Sequence, residues 1–415
     1  MEKLSYQRHT CRLCQSRDLL PVLKLAPTPI ADAYVSASKV KQKQPVFPLD
    51  LLLCRNCGNA QIRDVVDPKI LYLDYLYEAT SSLGFVRHFE EYARQVIKEI
   101  KPAGGSLIID VGSNDGTLLR AYKARGFRVL GIDPAKRIAG EATRSGIETL
   151  PHFLSLKLAR LIRKKYGPAA VVCANNVYAN VDDLDEFTSG IKKLLSSTGV
   201  YIFESFYLPD TIKNMVFDFI EHEHLSYFTV APLDKYFRKQ GMELIDVQQV
   251  NTKGGSLRYT VQLSGGKRKQ SAEVKKYVAN ENKIAIHTPL AFRKFNRRIT
   301  RAKKDLQLLL GKLQKQGKTI AGYGASAQST SLIYHFGLTG KLEYLVDDYK
   351  RKQGTFSPGA HIPVFPSNAI YRKKPDYIVI VAWRYSQPII DRNRQFLKHN
   401  GAFIIPLPKL KIIRQ

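Results

Sequence analysis

Residues Ser106 to Leu119, Ser-Leu-Ile-Ile-Asp-Val-Gly-Ser-Asn-Asp-Gly-Thr-Leu-Leu, decide the fold. An apolar run, Leu107 to Ile109, leads into Asp110 and two glycines, Gly112 and Gly116, and then into the helical spacing Leu118, Leu119, Tyr122. That order predicts strand, tight turn and helix. Glycine lets the turn backbone approach a ligand, because no Cβ intervenes and positive φ costs little. A second apolar run, Arg128 to Ile132, ends on Asp133 one βαβ unit later. A carboxylate there is placed to accept hydrogen bonds from two ribose hydroxyls. The turn is not G-x-G-x-x-G and no Lys-Ser/Thr follows it, which weakens both a dinucleotide and a P-loop reading. The plainest alternative is an ordinary βαβ unit with a tight turn.

D-x-G-x-x-x-G followed by an acidic strand end resembles the S-adenosylmethionine (SAM) site of Rossmann-like methyltransferases. The resemblance implies that Asp110, Gly112, Ser113, Asn114, Gly116 and Asp133 hold the cofactor. The α/β alternation continues with helices expected near 135–145 and 153–165, and with a strand at 170–174 that ends in Asn175-Asn176-Val177-Tyr178. Ligands sit at the carboxyl ends of parallel strands, so Asn175 and Asn176 fall near the methionine end of SAM. Amino-methyltransferases of rRNA or DNA often carry Asn/Asp-Pro-Pro-Tyr/Phe at this strand end. This chain has no proline there.

A chain of 415 residues holds two or three domains, since one core rarely grows so large. Its 44% hydrophobic and 24% charged residues are ordinary for a soluble globular protein. No apolar run is long enough to span a bilayer and the first residues are no secretory start, so a cytoplasmic location is expected. The unusual total is charge: 65 Lys and Arg against 36 Asp and Glu leave +29. Such a charge favours anionic partners, whether nucleic acid, membrane surface or sugar nucleotide, without choosing among them. Much of it lies in Lys267-Arg268-Lys269 and in Arg293 to Lys304, the latter on a helical segment whose plain reading is a solvated face.

Cys11-x-x-Cys14 and Cys54-x-x-Cys57 account for four of the five cysteines. Two such pairs can set four thiolates tetrahedrally round a structural zinc, with no coordination position left open. Residues 15 to 53 are then expected to loop out as a small subdomain. A cytoplasmic setting disfavours disulfides. Cys173 reads as a buried core thiol.

Residues 72 to 92 are dense in tyrosine and hydroxyl groups, with a helix expected from Gly84 to Ile100. They form either a linker that packs its aromatics or a segment lending phenol hydroxyls to a site. After a helix at 183–195 and a strand at Val200 to Glu204 comes Phe217-Asp-Phe-Ile-Glu-His-Glu-His-Leu-Ser-Tyr-Phe228. His222, Glu223 and His224 are adjacent, so they point in different directions, and H-E-x-x-H spacing is absent. Acid/base chemistry fits better than metal binding, because imidazole titrates near neutrality and a carboxylate can orient it. A solvated polar turn is the plain alternative. A helix at Ala231 to Gln240 and strands at Glu243 to Val250 and Arg258 to Leu263 are expected to close this unit.

Residues 284 to 316 read as a long basic helix bridging to a third unit, which opens with its own strand, turn and helix over Thr319 to Thr330. Further strands are expected to end at Asp347-Asp348 and Ala382-Trp383, with a last one at Ala402 to Pro406. A glycine turn at a helix N-terminus is a ready anion site. Two nucleotide-type units suggest two nucleotide-bearing ligands, SAM and one with a pyrophosphate.

Taken together, the chain resembles the sugar C-methyltransferases, which methylate a carbon next to the ketone of a nucleotide-linked keto-deoxysugar. The matching motifs are the two C-x-x-C pairs, Tyr75-x-Tyr77 with Ser81-Ser82, Asp110 to Gly116, Asn175-Asn176-Val177, Phe217-Asp218, Glu223-His224, Gly254 to Arg258, Gly322 to Ala325 and Pro358 to Val364. The resemblance covers nearly the whole chain. It implies an α/β protein with a four-cysteine zinc unit at 1–75, a Rossmann-like class I SAM domain at 76–283 and a Rossmann-like nucleotide-sugar domain at 284–415. It implies His224 as the base, Glu223 as its partner with His222 beside them, and Tyr75 or Tyr77 on the sugar or enolate oxygen. Arg258, Gly322, Tyr323, Gly324, Ala325, His361 and Trp383 would meet a substrate, expected to be dTDP-linked, and the chain is expected to act as a monomer without membrane or nucleic acid. Two positions depart from the family: Asn180 stands where a histidine is frequent, and Glu221 where an aromatic is. An RNA methyltransferase gripping its substrate with zinc knuckles and basic charge is one alternative. A SAM- or sugar-nucleotide-binding relative without catalysis is the other.

Overall fold

The computed structural model describes residues 4–73, 84–252 and 254–415, so Tyr75, Tyr77, Ser81 and Ser82 lie outside the described residues. Near the N-terminus, strand β1 (Ser5–Gln7) pairs with β5 (Asp64–Val66). Strands β2 (Leu19–Thr28) and β3 (Phe47–Cys54) form an antiparallel hairpin, and β4 (Ala60–Ile62) adds to β3. Leu49, Leu51 and Leu53 alternate along β3 and turn the same face inward. They share one core with Phe217 and Phe219 and with Phe292, Ile299 and Leu306 of the third unit. The hairpin is therefore not a looped-out subdomain, contrary to the expectation for residues 15 to 53. The segment joining its strands docks on the C-terminal unit, where Ala31 O accepts from Thr330 Oγ1 at 2.7 Å and Val35 bridges Phe356. Apolar residues on both strands made this burial compulsory.

The central sheet comprises β6 (Leu107–Val111), β7 (Arg128–Ile132), β8 (Thr149–Leu150), β9 (Ala169–Cys173) and β10 (Leu195–Phe206). These five run parallel, and after β11 (Ser226–Tyr227) the antiparallel pair β12 (Met242–Val250) and β13 (Ser256–Leu263) completes the order β12-β13-β10-β9-β6-β7-β8. Every residue of β6 is buried, as expected of an apolar run covered by helices on both faces. Strand β11 belongs elsewhere: it pairs with β4 and becomes the edge of the zinc unit's sheet.

The third sheet runs β16-β15-β14-β17-β18-β19, from β14 (Ile320–Tyr323), β15 (Leu345–Asp347), β16 (Val364–Pro366), β17 (Tyr377–Ile380), β18 (Ala402–Ile405) and β19 (Lys411–Ile413). Only β19 is antiparallel. Its covering helix, Pro289–Lys315, buries Phe292, Phe295, Ile299, Ala302, Leu306, Leu310 and Leu313 at helical spacing. Arg293, Lys294, Arg297, Arg301 and Lys304 are exposed on the opposite side, so the basic run is a solvated face. A separate helix, Ala272–Lys283, precedes it and was not expected, because it buries only Val274 and Glu281 and its apolar pattern is faint. Among the described residues, no helix is long and apolar enough to cross a membrane.

Because the cysteine-bearing hairpin shares its core with the third unit, loss of zinc should be felt by the whole molecule. We expect Cys54→Ser to abolish zinc stoichiometry and lower the main calorimetric transition by roughly 5–10 °C. An unchanged transition would show the cysteine cluster to be an ornament of the fold.

Candidate active site

A cavity of about 420 Å³ opens at the carboxyl ends of β6, β7 and β9. Its first wall is the turn after β6. Gly112 has φ +73°, and a Cβ there would lie 2.3 Å from Val177 Cγ2, so only glycine fits. Asn114 also takes positive φ, at 50°. Its N–H donates to Asp133 Oδ2 and that of Ala135 to Oδ1, both at 2.9 Å, which orients the carboxylate into the cavity's edge. The Asn175 side chain accepts from Glu204 N–H at 3.0 Å, which leaves its Nδ2 over the cavity. Gly116 lies beneath this wall, with φ +78° against Ile147.

Four polar atoms on residues that line this cavity, Asp110 Oδ1, Ser113 Oγ, Asn175 Nδ2 and Asn176 Oδ1, are buried without a hydrogen-bond partner. Buried polar groups are ordinarily satisfied, so this cluster fits a polar, partly cationic ligand such as SAM. Burial, and then the charge of Asp133, push the Asp110 carboxyl up to about 8.

The same cavity is also lined by residues 222–225, Asn180 and Tyr72. His224 Nδ1 lies 2.8 Å from the Phe219 carbonyl oxygen and 3.4 Å from Glu221 Oε1. A carbonyl can only accept, so Nδ1 carries the proton and Nε2 is the basic nitrogen. Glu221 in turn accepts from Gln328 Nε2 at 3.3 Å, a contact from the third unit. His222 Nε2 donates to the Pro48 carbonyl at 3.0 Å, and burial pulls this imidazole below its ordinary range. The Tyr72 hydroxyl donates to the Glu223 carbonyl at 3.2 Å. Glu223 lines the same cavity, and Asn180 Oδ1 is a fifth unpartnered buried atom.

Other expected site residues lie apart from this cavity's lining. Arg258 is buried against Glu204, 2.8 Å from Oε1, with Gln95 also in reach. At the end of β14 the turn Gly322-Tyr323-Gly324-Ala325 meets the chain's own groups: Ala325 N–H donates to Asp347 Oδ2 at 2.6 Å, and Lys352 Nζ to Ala325 O at 2.6 Å. The Tyr323 hydroxyl bonds Asp348, and His361 adopts φ 51°. Trp383 Nε1 donates to buried Asp218 at 2.9 Å and borders a second, basic cavity of about 660 Å³ with Arg384, Lys409 and Lys411. Tyr72, Asp182 and Gln328 reach the first site although the sequence does not single them out. Tyr72 alone carried a signal, as the first residue of the tyrosine-rich stretch.

The four cysteine Sγ atoms lie within 4.8 Å of one another, with Cys11 to Cys57 at 3.5 Å and Cys14 to Cys54 at 3.6 Å. Ligands 2.3 Å from a tetrahedral zinc stand about 3.8 Å apart, so the cluster fits Zn²⁺. Cys173 lies separately in the core.

A cation binding beside Asp110 favours its ionised form, so SAM binding should release a proton below about pH 8 and affinity should rise with pH up to that point. Calorimetry at pH 7 in buffers of different ionisation enthalpy measures this, and Asp110→Asn should abolish the release.

The chain matches family models for a zinc binding domain over residues 11–72, a methyltransferase domain over 85–247 and a C-methyltransferase C-terminal domain over 251–408. It is 31% identical over 404 residues to C-methyltransferase NovU of Streptomyces niveus, covering 97% of this chain and 96% of that one. Among solved structures, magnesium protoporphyrin IX methyltransferase from Synechocystis PCC 6803 with bound SAH is 17% identical, with TM-score 0.34 over 44% of this chain and 84% of that one. The PH0226 protein of Pyrococcus horikoshii OT3 is 12% identical, with TM-score 0.37 over 45% and 95%. With full-length kinship added to a SAM-type cavity and a four-thiolate cluster, the chain belongs to the C-methyltransferase family and is a SAM-dependent, zinc-binding C-methyltransferase.

Proposed function

We propose that the enzyme methylates the carbon next to the ketone of a nucleotide-linked 4-keto-deoxysugar, dTDP-linked, in the making of a branched deoxysugar. The observation that carries this reading is the tautomer of His224, set by its bond to the Phe219 carbonyl, in the cavity that the turn after β6 also lines. A carbon-bound proton next to a ketone is too weakly acidic to leave unaided, so a base must take it while the enolate forms. His224 Nε2 takes that proton, the C–H electron pair enters the enolate, and the Glu221 carboxylate offsets the charge gained by the imidazole. Asn180, whose amide nitrogen can donate, lines the cavity where the enolate oxygen draws polar contacts, a task the resemblance gives Tyr75 or Tyr77. SAM, when bound, would supply its sulfonium methyl to the enolate carbon, with the S–C electron pair staying on sulfur in the departing S-adenosylhomocysteine.

For the diphosphate, the basic cavity beside Trp383, with Arg384, Lys409 and Lys411, offers suitable charge. Arg258, bonded internally to Glu204, acts in this reading through the sheet rather than on substrate. The net charge of +29 favours a second reading, RNA methylation. That reading leaves His224 and the third unit without a task.

The test is mass spectrometry of dTDP-4-keto-sugars incubated with SAM and enzyme, where one added methyl is expected. His224→Asn should lower kcat by about 10²- to 10⁴-fold while SAM still binds. Glu221→Gln should cost roughly tenfold, since one charge-assisted contact to the base is lost. Intact sugars together with salt-dependent RNA binding would transfer the assignment to RNA.

A further inference from the structure

Arg12 stands between the zinc ligands Cys11 and Cys14 and is completely buried. The chemistry above gives it no task, yet its contacts run straight to the active site. Nε donates to Asp182 Oδ1 at 2.9 Å, and Nη1 donates to the carbonyls of Ile62 at 2.8 Å and Leu225 at 3.2 Å. Its own N–H is held by Gln61 Oε1 at 2.8 Å. Asp182 belongs to the loop that carries Asn180, and Leu225 directly follows His224. Both line the cavity. The two segments also touch each other, through Leu225 N–H on the Ala179 carbonyl at 2.8 Å. Strand β11 then ties the residues after Leu225 to β4 of the zinc unit.

We infer that Arg12 is a positioning residue: anchored by the cysteines on either side, it sets the spacing between the Asn180 wall and His224 and so links the zinc knuckle to proton abstraction. The part of this inference that concerns catalysis rests on His224 being the base. A buried guanidinium needs a counter-charge and acceptors for its planar fork; Asp182 supplies the charge at Nε and two carbonyls accept from Nη1, while Nη2 is buried without a hydrogen-bond partner. Lysine's ammonium has three donors but only one nitrogen, which cannot stand at the Nε position facing Asp182 and the Nη1 position facing the carbonyls at once. Asp182 is fixed from the other side by Arg8 Nη1 at 3.0 Å and by the Tyr6 hydroxyl, so the clamp closes on an already oriented carboxylate.

Arg12→Lys and the milder Asp182→Asn test this in the full-length, zinc-loaded protein. Hydrogen exchange read by mass spectrometry should quicken about tenfold in segments 178–183 and 222–227 and stay unchanged over 107–133. With a keto-sugar deuterated next to its ketone, kcat should fall about tenfold and the primary isotope effect should rise, because proton abstraction becomes slower than the other steps. SAM affinity and stoichiometry should stay within about twofold of the parent. Parental exchange in both segments would overturn the inference. So would a loss of turnover that follows loss of SAM-binding stoichiometry at an unchanged isotope effect. If the parent enzyme leaves keto-sugars intact, the proposed substrate fails, and the exchange measurement alone decides for or against the clamp.

Discussion

One hydrogen bond fixes which nitrogen of His224 is left free in the cavity, that from its Nδ1 to the Phe219 carbonyl. An imidazole can act as a base only from its unprotonated nitrogen, so whatever fixes the tautomer also chooses the reacting atom. Phe219 is itself held from outside its own domain. The Arg384 guanidinium lies 3.9 Å over its ring, and the same residue approaches Asp218 at 3.6 Å, beside the Trp383 bond. Burial raises the Asp218 carboxyl while Arg384 opposes the shift, so a residue of the third unit acts on the group next to the anchoring carbonyl. Three separate stretches of chain thus converge on one ring nitrogen.

The parts of this molecule that can be read from sequence are those whose chemistry is local. The turn from Asp110 to Gly116 declares itself because positive φ, a close backbone approach and a strand-end carboxylate each leave a residue-level mark. The C-x-x-C pairs do the same, since thiolate spacing is set by the metal. The expected helices and strands of the central unit fall within a few residues of those observed, because buried parallel strands are nearly continuous apolar runs. What the sequence hides is contact across distance. Arg12 meets Leu225, 213 positions later, and Glu221 meets Gln328, 107 positions later. Nothing in a polar residue's type says which far segment will face it. The hairpin was misjudged as an excursion for a related reason: its leucines signal burial without naming the partner surface.

The two departures from family pattern have different physical consequences. At position 180 an amide replaces an imidazole, so the side chain keeps hydrogen-bonding capacity and loses titration. At position 221 a carboxylate stands within 3.4 Å of His224 Nδ1 and is itself held by Gln328. Both changes move the surroundings of His224 in one electrostatic direction, since one removes a group that can be cationic and the other adds a carboxylate.

The placement of β11 at the edge of the N-terminal sheet also bears on how the chain is made. During synthesis, β2, β3 and β4 leave the ribosome long before Ser226 and Tyr227 exist, so the free edge of β4 must wait for its neighbour. The segment after β2 waits longer still, since Thr330 and Phe356 are its partners. Zinc can gather four cysteines within the first 57 residues and hold this open sheet in register through that interval. A metal bound there would tie together the two ends of the hairpin on which the last-made third of the protein closes.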